Sequence, residues 1–404
     1  VPVIFPVLSV LGAFILNNHG PNYLTMIMLG GIAIYVFCVV WFRDKLNENV
    51  YPWALWLMGL SLLLMYSLRS WYFMGSDVIS EYHFFDLVKK NNLWDINSYA
   101  HSYNTCLSVN VLPTILNLSI GVEQLVLFKL FIQLIFSVIL IVLYLLFKKF
   151  STPLFSFLAV FFFMSQIGYM IDMPSHIRQE ISFLFMGLIF LVLFNKNFSR
   201  GIKNLIIILF GFTLIVSHYS TGYLTIILFL TIIVIISLVS TIFKINKVYV
   251  EGLKKITPFL VLLFLIFGFL WYSQITSVVD GLVDFVHRSI DNFKNLFNED
   301  MYTEGDSFLD QFRLKPIQED RNLILQKEIS NARNTTNPID IYTSDKSQKY
   351  STRFIPSKII PSNFSTTLTS FFYSFLSIIK KLGYIFIFIG LIYSLIISKT
   401  NNNS

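Results

Sequence analysis

Apolar residues in this chain come in long runs, broken by short polar intervals, with almost no strand-like alternation. The runs cover residues 3–16, 24–42, 53–68, 125–147, 154–171, 181–194, 202–216, 223–243, 256–272 and 382–397. A bilayer core of about 30 Å takes about 20 apolar residues per helix, so the pattern predicts about ten membrane-spanning helices. Two further stretches follow a different rule. Residues 278–297 place Val278, Leu282, Val286, Ile290 and Phe293 at helical spacing opposite Asp280, Asp284, Arg288, Asp291 and Lys294. That is the mark of a helix lying along the membrane surface. Residues 364–379, rich in Phe and Ser, read the same way. Between them, residues 300–350 are polar and read as a loop-rich excursion.

Composition agrees with the pattern. Apolar residues make up 55% of the chain, charged residues 13%, and the mean hydropathy is +0.67. Soluble domains carry roughly 25% charge, and no soluble core would bury so many Phe, Ile and Leu side chains. The formal net charge of +7 would suggest nucleic acid in a soluble protein. Here the cations gather in alternate connections: Arg43 and Lys45; Lys148 and Lys149; Lys196, Arg200 and Lys203; Lys244 to Lys255; Lys399. Basic short loops stay on the cytoplasmic side. Topology thus explains the charge, and no nucleic-acid partner is needed. Cys38 lies in an apolar run and Cys106 in a loop, so neither a disulfide nor a cysteine metal site is expected.

The opposite, outer side receives residues 75–86, 172–180 and 217–221, the segment 273–381, and all six histidines. The expected organisation follows. Membrane helices occupy 1–68, and an outer loop with amphipathic helices and a candidate catalytic acid occupies 69–124. A membrane helical core fills 125–272. The outer segment is 273–381, and 382–404 holds the last helix and tail.

Three outer stretches could carry chemistry. In Gly-Ser-Asp-Val-Ile-Ser-Glu-Tyr-His-Phe-Phe-Asp (75–86), Asp77 and Glu81 share one helical face with Phe84, Phe85 and Val88, whereas His83, Asp86 and Lys90 share another. Paired carboxylates among apolar neighbours suit a general base or a metal ligand. The plainer alternative has Asp77 favouring the helix start through the dipole while Glu81 pairs with a cation. The second stretch, Asp-Met-Pro-Ser-His-Ile-Arg-Gln-Glu (172–180), puts His176, Arg178 and Gln179 at a helix N-terminus, a natural anion site. Alternatively Arg178 is an anchor paired with Glu180 or Asp172. The third, Ser-His-Tyr-Ser-Thr (217–221), sits at a tight turn between spans. His218 could act on a phosphate or a hydroxyl there, and Tyr219 could equally be an interface anchor. The chain has no Walker A loop, dinucleotide fingerprint, nucleophile elbow or His-Glu-x-x-His.

An acid directly after an early span, opening an outer loop ahead of a multi-span body, resembles the GT-C class of membrane glycosyltransferases. The stretches 75–82, 177–180 and 217–221 also resemble recurrent motifs of an archaeal membrane protein family of unknown function. The GT-C resemblance implies an all-α membrane fold with its catalytic face outside. It implies transfer of a sugar from a polyprenyl-phosphate (dolichyl) carrier to a glycan, lipid or protein acceptor, in contact with membrane lipid. Carried onto this chain, Asp77 would be the base or help hold a divalent metal, Mg or Mn, with Glu81 in support. Arg178, with His176, Gln179, His218 and Tyr219, would bind the donor. One departure is that the acid follows the third expected span, where the simplest members have it after the first. A lipid-linked glycan flippase or transporter, and a surface-glycan polymerase or ligase, are the rival readings.

Overall fold

A computed structural model describes residues 1–97, 101–243 and 256–276, together with Gly383. The chain divides into two units, Val1–Arg288 and Ser289–Ser404. Gly383 apart, the described residues lie in the first unit. The expected amphipathic stretches at 278–297 and 364–379, the excursion at 300–350 and the span at 382–397 fall outside them.

The described part is helical, with no strand among its residues. Its helices are α1 (Ile4–Asn17), α2 (Tyr23–Trp41), α3 (Val50–Ser67), α4 (Ser76–Asn91), α5 (Val111–Ile120), α6 (Gln124–Phe147), α7 (Pro153–Met164), α8 (Ile177–Leu193), α9 (Arg200–Ser217), α10 (Tyr219–Phe243) and α11 (Pro258–Ile275). Five of them, α2, α3, α6, α9 and α11, are long and apolar enough to cross a membrane. The segment Gly168–Ser175, bent 60° from α7, makes a sixth with it. By length and composition the described residues thus show five or six of the expected spans, and the one at 382–397 lies outside them. α1 has only 14 residues, and α8 spends the first turn of its 17 on Arg178 and Glu180.

Lipid is the solvent of the outward faces. Met26, Ile27, Ile34, Phe37 and Trp41 of α2 all point away from the bundle with at least 60% exposure. Such an apolar surface is stable only in hydrocarbon. Inside, α3 is the central helix, burying Ala54, Leu55, Met58, Leu62 and Leu63 against α1, α6 and α7. A second core joins α8, α9, α10 and α11 around Ile189, Ile207, Phe229 and Phe264. Small residues let these helices close up, as Gly187 does opposite Ile139 and Val142.

The two ends of the bundle differ in chemistry. At the basic end, Thr152, Ser199 and Thr257 cap α7, α9 and α11 through their hydroxyls, and Pro153 and Pro258 open two of these helices. Lys148 reaches Glu48 at 2.8 Å there. At the other end, the site end, α4, residues 101–110 and α5 form a cap. Leu107 N–H donates to Val216 O at 2.8 Å, and Ser108 Oγ to Ser217 O at 2.9 Å. Trp271 Nε1 donates to Thr105 O at 3.3 Å. Lys129 Nζ ties down the loop after α3 by donating to Ser70 O and Tyr72 O at 2.6 and 2.8 Å. Widened π-helical turns at Leu127–Phe131, Gly168–Asp172 and Leu270–Ile275 all lie at this end. Such turns recur at functional sites.

The junction that seats α4 is Gly75, with φ of +108°. A Cβ there would stand 2.8 Å from Ser175 Cβ. Gly75→Ala is therefore expected to cost about 1–3 kcal/mol in backbone strain alone. Thermal unfolding in detergent should show a lowered midpoint. Ser175→Gly should not restore it, because removing the clash leaves φ unchanged.

Candidate functional site

The first turns of α4 and α8 meet head to head, and one guanidinium joins them. Asp77 sits in the first turn of α4 and Glu81 one turn further along, so both carboxylates face the same way. Pro174 and the turn around it start α8, whose first residues are Ile177 and Arg178. Arg178 Nη1 donates to Glu81 Oε1 and Nη2 to Asp77 Oδ2, each at 2.6 Å. Glu81 also accepts from the backbone N–H of Ile177 at 2.9 Å and of Arg178 at 3.4 Å. It thus caps α8 from another helix, where the first N–H groups have no partner of their own and the dipole favours an anion.

Aromatic and imidazole groups complete the arrangement. The Tyr103 ring lies 3.9 Å from the Arg178 guanidinium carbon, a cation–π contact. Its hydroxyl hydrogen-bonds Asp77. His176 Nε2 stands 3.4 Å from Asp77 Oδ2, and its Nδ1 donates to Asp172 O at 2.7 Å. The His101 ring stacks on Phe84 beside Tyr103. Burial divides the group. Glu81 is 0% and Arg178 4% exposed, whereas the side chains of Asp77 and His176 keep 23% and 34% of their surface. The inner half is sealed and the outer edge is open.

Electrostatics follow that division. Burial alone would raise the Asp77 carboxyl, but the hydrogen bond and charge of Arg178, then His176 and the Tyr103 hydroxyl, hold it below the usual carboxylate range. Burial pushes the Tyr103 phenol up to about 12, and the neighbouring Asp77 adds to this against the charge of Arg178. His218 is 7% exposed, with Nδ1 2.7 Å from Thr221 Oγ1. Burial, then the charges of Arg178 and His176, push its imidazole down to about 3.

The structure thus brings together Asp77, Glu81, Arg178 and His176. His218 is buried and Tyr219 half-buried, both within electrostatic reach of Arg178. Gln179 is half-buried in the same turn and takes no part in the ion pairs. Glu81 is fully buried, and its carboxylate accepts from Arg178 and from the first N–H groups of α8. Arg178, expected against a lipid phosphate, has both terminal nitrogens on carboxylates; among the described residues only its Nε lacks a partner. Tyr103 escapes the sequence reading. The signal was His-Ser-Tyr-Asn-Thr at 101–105, which resembles the singled-out Ser-His-Tyr-Ser-Thr at 217–221. On Asp86 and Lys90 the expectation of a solvated face agrees with their surface ion pair.

These features define an all-helical integral membrane protein with a charged cluster at one end of its bundle. Residues 203–316 match the model of a family described as predicted membrane protein (DUF2206). The match takes in most of α9, with α10, α11 and the 217–221 turn; Asp77, Glu81 and Arg178 lie outside it. No curated protein and no solved structure matches the chain.

Two measurements follow. Arg178→Met leaves Glu81 buried without its counter-charge, which costs about 3–5 kcal/mol in comparable cases. Adding Glu81→Gln should recover a large part of that loss, and strictly additive effects in chemical unfolding would refute the coupling. Second, His218 resists protonation when folded but takes up a proton near 6.5 when unfolded. The unfolded state then binds more protons between pH 6.5 and about 3, so stability falls as pH falls through that window. His218→Asn should flatten the fall of melting temperature with acid.

Proposed function

We propose that this protein is a glycosyltransferase of GT-C type, moving a sugar from a polyprenyl-phosphate carrier to an acceptor hydroxyl at the outer membrane face. The observation that carries this reading is Asp77: an ionised carboxylate, partly open, fixed at the mouth of the site end directly after a span-length helix. The positive-inside distribution of the cations supports placing that end outside.

In the proposed step, the acceptor oxygen attacks the anomeric carbon as the carbon–oxygen bond to the carrier phosphate breaks. The leaving phosphate takes the bonding electrons, and the acceptor proton passes to Asp77. A carboxylate of depressed pKa is a weak base for a free hydroxyl. It becomes adequate as the new bond forms and the hydroxyl grows acidic in the transition state. Arg178, His176 and Tyr103 hold the carboxylate ionised and aimed; Glu81 holds Arg178. The depressed pKa of Asp77 is the opposite of what a buried acid catalyst would need, so a base is the role it suits.

A divalent metal fits these residues poorly. Asp77 Oδ2 already faces the Arg178 guanidinium and the His176 ring, and Glu81 is spent on Arg178 and the α8 N-terminus. We route no step through one. A flippase would need polar groups distributed across the bundle; the gathering of all three motif stretches at one end favours the enzyme.

Asp77→Asn is expected to abolish transfer from a polyprenyl-phosphate sugar, by at least 10²-fold for loss of a general base, while the purified protein keeps its melting temperature within a few degrees. Transfer at the wild-type rate by a folded Asp77→Asn protein would remove Asp77 from the chemistry. Tyr103→Phe should raise the pH of the acid limb of kcat/KM, because Asp77 loses a hydrogen bond that favours its ionised form.

A further inference from the structure

Beneath the clamp lies a second polar group that the proposed reaction does not use. Gln133 projects from α6, Glu180 from the first turn of α8, and Tyr169 from the bent Gly168–Ser175 segment. Gln133 and Glu180 are 0% exposed and Tyr169 is 2% exposed. Gln133 Nε2 donates to Glu180 Oε2 at 3.1 Å. Three atoms then remain without a partner among the described residues: Gln133 Oε1, Glu180 Oε1 and the Tyr169 hydroxyl. Buried polar atoms are seldom left so, and three in one neighbourhood require a cause.

Proton counting supplies one. An amide oxygen only accepts, an ionised carboxylate only accepts, and a phenol offers one proton. With Glu180 ionised, two acceptors are left over and Tyr169 can serve one of them. With a proton on Glu180 Oε1, the acid can donate to Gln133 Oε1 while the amide N–H donates to Oε2. A planar acid and a planar amide close both bonds at once, and the Tyr169 hydroxyl is then free to donate to an acid oxygen. Among the described residues Glu180 forms no ion pair: Glu81 on α4 acts on it as a like charge, and Arg178, two residues before it on its own helix, has its terminal nitrogens on Asp77 and Glu81. An unpaired carboxylate among apolar side chains of a membrane bundle neutralises itself by taking a proton.

We propose that Glu180 is a proton-binding site, held as the neutral acid at neutral pH in a paired acid–amide arrangement with Gln133. The neutral state keeps the neighbouring charge balance. Arg178 already answers two carboxylates, and a third, two residues along the same helix, would draw on the same guanidinium. This inference is independent of glycosyl transfer.

Infrared spectroscopy of the full chain in detergent tests it directly. A protonated-carboxyl C=O band is expected at neutral pH, shifted down in D2O and absent from Glu180→Gln. Gln133→Leu should keep the band and move it to higher frequency, because the acid loses its partner. Glu180→Gln reproduces the shape and hydrogen bonding of the neutral acid, so it should keep the wild-type melting temperature at neutral pH. Three results would overturn the proposal. One is the absence of any Glu180-dependent band at neutral pH. Another is failure of Glu180→Gln to fold. The third is a rise in melting temperature with sodium chloride over choline chloride that Glu180→Gln abolishes, which would mean an ionised carboxylate holding a metal cation.

Discussion

One guanidinium fixes the register of this protein's working end. Arg178 binds a carboxylate from each of two successive turns of α4 while the backbone of its own helix is capped by one of them. Neither helix can slide along the other without breaking charge-assisted bonds in a sealed place. A buried ion pair is a poor source of net stability, because desolvation offsets its attraction. Its value lies in the asymmetry: alternatives that separate the charges are far worse than the native arrangement is good. That makes the clamp a device of specificity, and it orients Asp77, the one acid of the pair with an open face.

The membrane frame makes the clamp possible. Gly75 lets the α4 backbone run against Ser175, so Asp77 can arrive within 2.6 Å of an arginine that follows that turn. Lys129 gathers the carbonyls of Ser70 and Tyr72 in the loop leading there, and Asn17 anchors the same loop through Leu68 and Ser70. Pairing carbonyls with a buried lysine satisfies groups that lipid could not. The cap is held in turn by the tips of α9 and α11 through Leu107, Ser108 and Thr105. The ends of α1, α6, α9 and α11 at this side thus help to place one small polar cluster.

How much of this was legible follows from the range of each interaction. The shared face of Asp77 and Glu81 is local helix geometry, and the sequence contains it. That Glu81 pairs with a cation was one of two local readings; which cation could not be read, because Arg178 lies 97 residues away. The same distance hides from the sequence that Arg178 has partners within the chain. A helix N-terminus with an arginine suits any anion, and the chain supplies its own. Tyr103 was missed because its contacts are tertiary. The span count came from hydropathy, which does not separate α1 and α8, shorter than a full span, from the five longer helices. Gln133 and Glu180 stood in plain sight as polar residues in or beside apolar runs, but only burial in three dimensions shows that their oxygens lack partners.

The charge pattern of the mouth also bears on where a donor phosphate could lie under the glycosyltransferase reading. Glu81 alone balances Arg178, because both are sealed from water and their attraction is little screened. Asp77 is then an additional negative charge at the opening, relieved in part by His176 and by solvent. An anion placed directly against Asp77 would meet that charge, whereas a neutral hydroxyl would meet a ready hydrogen-bond acceptor. The acceptor therefore belongs on the Asp77 side of the reacting carbon and the phosphate on the far side, in line with displacement from opposite faces. On this reasoning Arg178 acts on the reaction through Asp77, and the groups that meet the carrier phosphate lie across the mouth from the clamp.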